Sequence, residues 1–85
     1  MKIAFTEQGW DDYLWFQKVD KKLLKKINTL IKEIQRTPFD GQGKPEPLRA
    51  NLSGYWSRRI NSEHRLVYKI EKGILIVVSC RRHYQ

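Results

Sequence analysis

Residues 55–82 read "YWSRRINSEHRLVYKIEKGILIVVSCRR", and the alternation within this stretch decides the fold. "YWSRRI" and "HRLVYKI" are separated by "NSE", and "ILIVVSCRR" follows after "EKG". Three strand-length runs joined by two short polar connections predict a three-stranded antiparallel meander. Side chains on a strand point alternately to its two faces. In the second run His64, Leu66, Tyr68 and Ile70 therefore share one face, and Arg65, Val67 and Lys69 share the other. In the first run Trp56, Arg58 and Ile60 stand opposite Ser57 and Arg59, so arginine recurs on adjacent strands. The third run adds Arg81 and Arg82, with either Arg81 and His83 or Arg82 and Tyr84 pointing to the same side.

The stretch "FDGQGKPEPLRANLSG" before the meander is rich in Gly and Pro and predicts a long ordered loop, with a turn of helix around "EPLR". Ahead of it, Leu23, Leu24, Ile27, Leu30, Ile31 and Ile34 form one apolar stripe at helical spacing. Asp20 is its N-cap and Pro38 its stop. A first helix carries Trp10, Tyr13, Leu14 and Phe16 behind an N-capping Thr6, and "KIAF" is a short strand candidate. Helices followed by a meander imply an α+β fold, with two N-terminal helices packed on one face of an antiparallel sheet. The chain shows no repeat or linker, so residues 1–85 are expected to form one domain with one small core.

Composition narrows the partners. Seventeen Lys and Arg stand against nine Asp and Glu, a formal charge of +8, so a polyanion is the natural ligand. Beyond Asp40 only Glu46, Glu63 and Glu71 oppose the basic residues, which places the anion-facing surface in the C-terminal half. Cys80 is the single cysteine and cannot pair within the chain, in keeping with a reducing compartment. The start "MKIAFTEQGW" turns polar too soon for a signal peptide, and there is no membrane-spanning run, so a cytoplasmic location is expected. A chain of this size leaves little room for an enclosed cofactor pocket, and none is expected. A zinc site from Glu46, His64, Cys80 and His83 lacks paired ligand spacing, so no metal is expected.

Glu46 lies between Pro45 and Pro47, which restrict its backbone to extended conformations and narrow the aim of its carboxylate. It reads either as a surface acid paired with Lys44 or Arg49, or as a placed base. Guanidiniums on a sheet face match phosphate oxygens two at a time, although a solvated basic face has the same composition. Taken together, the groups fit the cleavage of RNA by its own 2′-hydroxyl. Glu46 would be the base, His83 the acid for the 5′ oxygen, and Arg65 the partner of the phosphorane charge. Cys80 reads as a small buried hydrophobe and His64 as a strand hydrogen-bonder.

"GKPEPL", "LSGYWSRRI", "EHRLVY" and the His-Tyr pair near the C-terminus closely resemble the YoeB (Txe) toxins of the RelE/ParE superfamily, over almost the whole chain. The resemblance implies a RelE-like microbial RNase fold, with two helices against a twisted antiparallel sheet. It also implies a type II toxin that cleaves mRNA in the ribosomal A site and so inhibits translation, as a metal-independent endoribonuclease. Carried over by position, the base falls on Glu46, the phosphate-stabilising arginine on Arg65, the acid on His83 and the C-terminal tyrosine on Tyr84. Lys44, Arg49 and Arg59 match basic positions that hold RNA, and Arg81 and Arg82 are counted with them. The implied partners are an acidic antitoxin of the YefM/Axe kind, the ribosome with its mRNA, and a second copy of the chain. Two departures are Gln85 beyond the tyrosine and Arg82 where an aromatic residue can stand. A ParE-like gyrase inhibitor or a non-catalytic nucleic-acid-binding module would share the basic surface without needing Glu46 or His83.

Overall fold

Two helices cover one face of a five-stranded sheet in a computed structural model that describes residues 1–82. The roles expected of His83 and Tyr84, and the addition of Gln85, lie outside the described residues. Strand β1 (Lys2–Phe5) leads into helix α1 (Glu7–Val19), whose first turn is closed by the Thr6 hydroxyl accepting from Gly9 N at 3.0 Å. The same hydroxyl donates to Val78 O at 2.7 Å, which fixes the helix start on the sheet. Gly9 is required there, because a Cβ would collide with the carbonyl of Val77.

Asp20 works in two directions. Its backbone N–H donates to Phe16 O at 2.8 Å and ends α1, while its carboxylate accepts from Leu23 N at 3.1 Å and starts α2 (Lys21–Arg36). The predicted stripe is the buried face of α2, with Ile27, Leu30, Ile31 and Ile34 all within the core. Thr37 caps the end through Glu33 O, and Pro38 follows.

The remaining strands are β2 (Glu46–Pro47), β3 (Trp56–Arg59), β4 (Arg65–Glu71) and β5 (Ile74–Ser79), and the spatial order is β1-β5-β4-β3-β2. The meander β3–β4–β5 is antiparallel throughout, as its alternation predicts. Two pairings extend it at either edge. β1 lies parallel to β5 with Lys2 beside Ile74, and the short β2 joins β3 with Glu46 beside Ser57. The expected turn of helix around "EPLR" sits slightly later, as a 3-10 turn at Ala50–Leu52, because Glu46 and Pro47 are drawn into the sheet.

Leu66, Tyr68, Leu75 and Val77 face the helices and are buried against Phe16, Ile27, Leu30 and Ile34. Each such aliphatic side chain contributes about 1.5–3 kcal/mol by leaving water. Among the described residues, no helix is long and apolar enough to cross a membrane.

Candidate active site

On the face of the sheet turned away from the helices, strand register brings together three of the predicted site residues, Glu46, Arg59 and Arg65. Glu46 pairs with Ser57, and Arg59, two residues further along β3, pairs with Arg65 on β4. Directly opposite residues of an antiparallel pair project to the same face, and diagonal neighbours stand about 7–8 Å apart. Glu46 is therefore a diagonal neighbour of Arg59, with Arg65 next in line. Glu46, Arg59, Lys44 and Arg49 are exposed and Arg65 is half-buried. Arg59 and Arg65 are thus like charges directly opposite each other, a pairing that an anion between them would stabilise. Among the described residues Glu46 makes no ion pair with Lys44 or Arg49.

The loop that delivers Lys44 and Glu46 is held by a residue of the opposite face. Arg58 is fully buried, and its guanidinium donates to Thr37 O (2.6 Å), Asp40 O (2.7 Å), Gln42 O (3.2 Å) and the Tyr68 hydroxyl (3.2 Å). Glu33 stands 3.5 Å away as its counter-ion and also accepts from Gln42 N. Four hydrogen bonds and one ion pair match the five N–H groups an arginine carries. The Tyr68 hydroxyl in turn donates to Pro38 O at 2.7 Å, and burial raises its pKa against the lowering effect of Arg58. Gly43 O accepts from Arg59 N at 2.6 Å, so the loop docks on β3 one residue before Lys44. Gly43 has φ +81, and a Cβ there would press on Arg59 O and Arg58 Cβ at about 3 Å. The alternation of β3 carried the signal for this role, since it sets Arg58 beside Trp56 and Ile60 on the core face. What it could not show is the loop that supplies the acceptors.

Lys26 of α2 was also not anticipated. It lines a cleft of about 350 Å³ together with Lys44, Arg59 and Asn61, and so extends the basic surface from the sheet onto the helix.

At the far end of the sheet, Cys80 is buried, its amide donates to Asp12 Oδ2 at 3.0 Å, and burial beside that carboxylate pushes its thiol pKa up to about 12. The thiol is thus neutral and inert, in line with its reading as a small hydrophobe. The Arg81 guanidinium lies 3.8 Å from the centre of the Trp15 ring, a cation–π contact that places it on α1 and not beside Glu46. Arg82 has φ +64, its N–H donates to His64 Nδ1 at 2.7 Å, and its carbonyl accepts from Arg65 N at 3.2 Å. Arg82 is exposed and tied next to Arg65, whereas Arg81 is turned to the helix side.

Comparison with known proteins agrees with this arrangement. The model of the family described as "YoeB-like toxin of bacterial type II toxin-antitoxin system" matches residues 5–84. A "Toxin YoeB" of Synechocystis is 75% identical over 85 residues, covering 100% of this chain and 99% of the relative. The solved "YoeB/ParE toxin from Agrobacterium tumefaciens" superposes with a TM-score of 0.96 at 51% identity, covering 99% of this chain and 100% of that one. Two Staphylococcus aureus structures, a heterotetrameric YoeB-YefM toxin-antitoxin complex and a YoeB dimer, are each 50% identical and cover 99% of this chain and 98% of theirs, with TM-scores of 0.91 and 0.92. The two helices on a mostly antiparallel sheet are thus the fold of these toxins, and the chain belongs to the YoeB-like toxins of bacterial type II toxin–antitoxin systems.

Proposed function

We propose that the chain is a ribosome-dependent endoribonuclease that cuts mRNA in the A site without a catalytic metal. Family membership supports an endoribonuclease toxin in general. The observation that carries the finer reading is the register that sets Glu46, Arg59 and Arg65 on one open face. Glu46 takes the proton of the 2′-hydroxyl as its oxygen attacks the adjacent phosphorus. Arg65, with Arg59 beside it, receives the negative charge that builds on the phosphorane oxygens, where a planar fork gives two bonds at once. His83 gives a proton to the departing 5′ oxygen, leaving a 2′,3′-cyclic phosphate and a 5′-hydroxyl, and Tyr84 assists in the same site. Lys44, Arg49, Arg82 and the Lys26 cleft bind neighbouring phosphates, with Arg81 as their support on α1.

The scissile phosphate supplies the negative charge that the surrounding cations call for. The site therefore becomes competent when RNA occupies it. The same basic surface suits an acidic antitoxin segment, and the Staphylococcus aureus relatives, one in a complex with YefM and one as a dimer, support an antitoxin and a second copy as partners. A bacterial cytoplasm holds all of these partners. The test is mapping of cut sites on a translated message, with and without ribosomes, for the wild type and Glu46→Gln. We expect ribosome-dependent cuts that fall by about 10²–10⁴ in the variant. Wild-type cutting by Glu46→Gln removes the base from the mechanism.

A further inference from the structure

We infer that His64 is a positioning residue for the cleavage site, acting as an acceptor through Nδ1 that clamps the backbone of Arg82 to the start of β4. The inference rests on the reading of His83 as the acid. His64 is only 4% exposed, with its ring edge-on to Phe16 at 5.0 Å and tilted against Trp15 at 6.1 Å. Its Nδ1 accepts the Arg82 N–H at 2.7 Å, so Nδ1 is unprotonated and the ring proton sits on Nε2, the nitrogen 3.7 Å from Glu63. The next residue, Arg65, donates its own N–H to the Arg82 carbonyl. His64, just ahead of β4, and Arg65, its first residue, therefore hold both backbone polar groups of Arg82.

That hold keeps Arg82 in a backbone conformation that a residue with a Cβ avoids, at φ +64. Such a conformation persists where the surroundings over-determine it, and it is found at sites where a segment must be aimed. The ties on the preceding residues act in the same sense: Cys80 N is bound by Asp12, and Arg81 is laid on Trp15. Three successive residues are thus fastened, Cys80 and Arg81 to α1 and Arg82 to His64 and the first residue of β4. The clamp thereby holds the Arg82 backbone against the first residue of β4, Arg65, which stands opposite Arg59. His64 itself need not touch RNA to affect turnover.

Two variants separate the acceptor from the ring. His64→Asn places Oδ1 where Nδ1 stands and keeps the acceptor, whereas His64→Phe keeps the ring packing and loses it. We expect His64→Phe to lower single-turnover cleavage by about tenfold or more, with ribosome affinity unchanged within about twofold, and His64→Asn to cleave within about threefold of wild type. In wild-type protein, a scalar coupling across the hydrogen bond between the Arg82 amide nitrogen and His64 Nδ1 is expected by NMR, a signature independent of whether either variant folds. Wild-type turnover in His64→Phe, equal losses in both variants, or absence of the coupling overturns the inference. His83→Ala, run in parallel, keeps the two readings apart. Wild-type cleavage by that variant fails the acid assignment, while loss there with full activity in His64→Phe fails only the positioning role.

Discussion

Arg58 and Arg59 are consecutive, yet the first is fully buried with its guanidinium shared among Thr37, Asp40, Gln42, Tyr68 and Glu33, while the second is exposed opposite Arg65. The period of a strand puts one arginine to work on the fold and the other on the exposed face of the sheet, where we propose that RNA binds. A guanidinium thus has no fixed role. Buried among carbonyls it closes a loop, and on the exposed face it is placed for the RNA-binding role proposed for it. The two roles meet in residues 37–46, because the loop that Arg58 anchors is the one that brings Lys44 and Glu46 to β3.

The largest expected effect is on the buried member. Arg58→Met strands the loop carbonyls and the Glu33 carboxylate, and should cost about 3–5 kcal/mol in urea unfolding, the scale for removing one partner of a buried pair. A loss below about 1 kcal/mol would erase the difference between the two arginines. Arg59→Ala should do the reverse, leaving stability within about 0.5 kcal/mol and lowering ribosome-dependent cleavage by about tenfold, near 1.4 kcal/mol in the barrier. If that variant unfolds at lower urea while cutting normally, Arg59 belongs with Arg58.

The same inside-and-outside division recurs at the end of β5, where Cys80 is buried and Arg82 is exposed. Burial raises the Cys80 pKa from 9.0 to about 12, so between those values the unfolded thiol ionises while the folded one does not. The folded state then binds the additional proton, and stability that is full below pH 9 is lost as pH rises toward 12. Comparison of thermal unfolding at pH 8 and pH 10 should show a loss of about 1.4 kcal/mol that Cys80→Ala does not share. An identical pH dependence in the two proteins would mean that the thiol is not held in a dry site.

Much of this division is readable from local pattern. The alternation in "WSRRI" separates Arg59 from Trp56 and Arg58, that in "HRLVYKI" separates Arg65 from Leu66 and Tyr68, and the register of β3 on β4 brings the two sets onto common faces. Thr6, Asp20 and the stripe ending at Ile34 likewise declare both helices. The parts that periodicity could not reach are pairings between distant segments. β1 lies parallel to β5 through contacts made more than seventy residues apart, and Glu46–Pro47 become a strand only because β3 offers an open edge. The lodging of Arg81 on Trp15 and the grip of His64 on Arg82 are of the same kind, since neither leaves a mark on its own neighbours in sequence.

The chemistry of the cut ends tests the central claim most directly, because it reports the nucleophile and not merely the damage of a substitution. With Glu46, Arg65 and His83 serving attack by the 2′-hydroxyl, a message cleaved on programmed ribosomes should carry a 2′,3′-cyclic or 3′ phosphate on the upstream fragment and a 5′-hydroxyl on the downstream one. A 5′-phosphate on the downstream fragment would make water the nucleophile and would contradict the roles given to these residues.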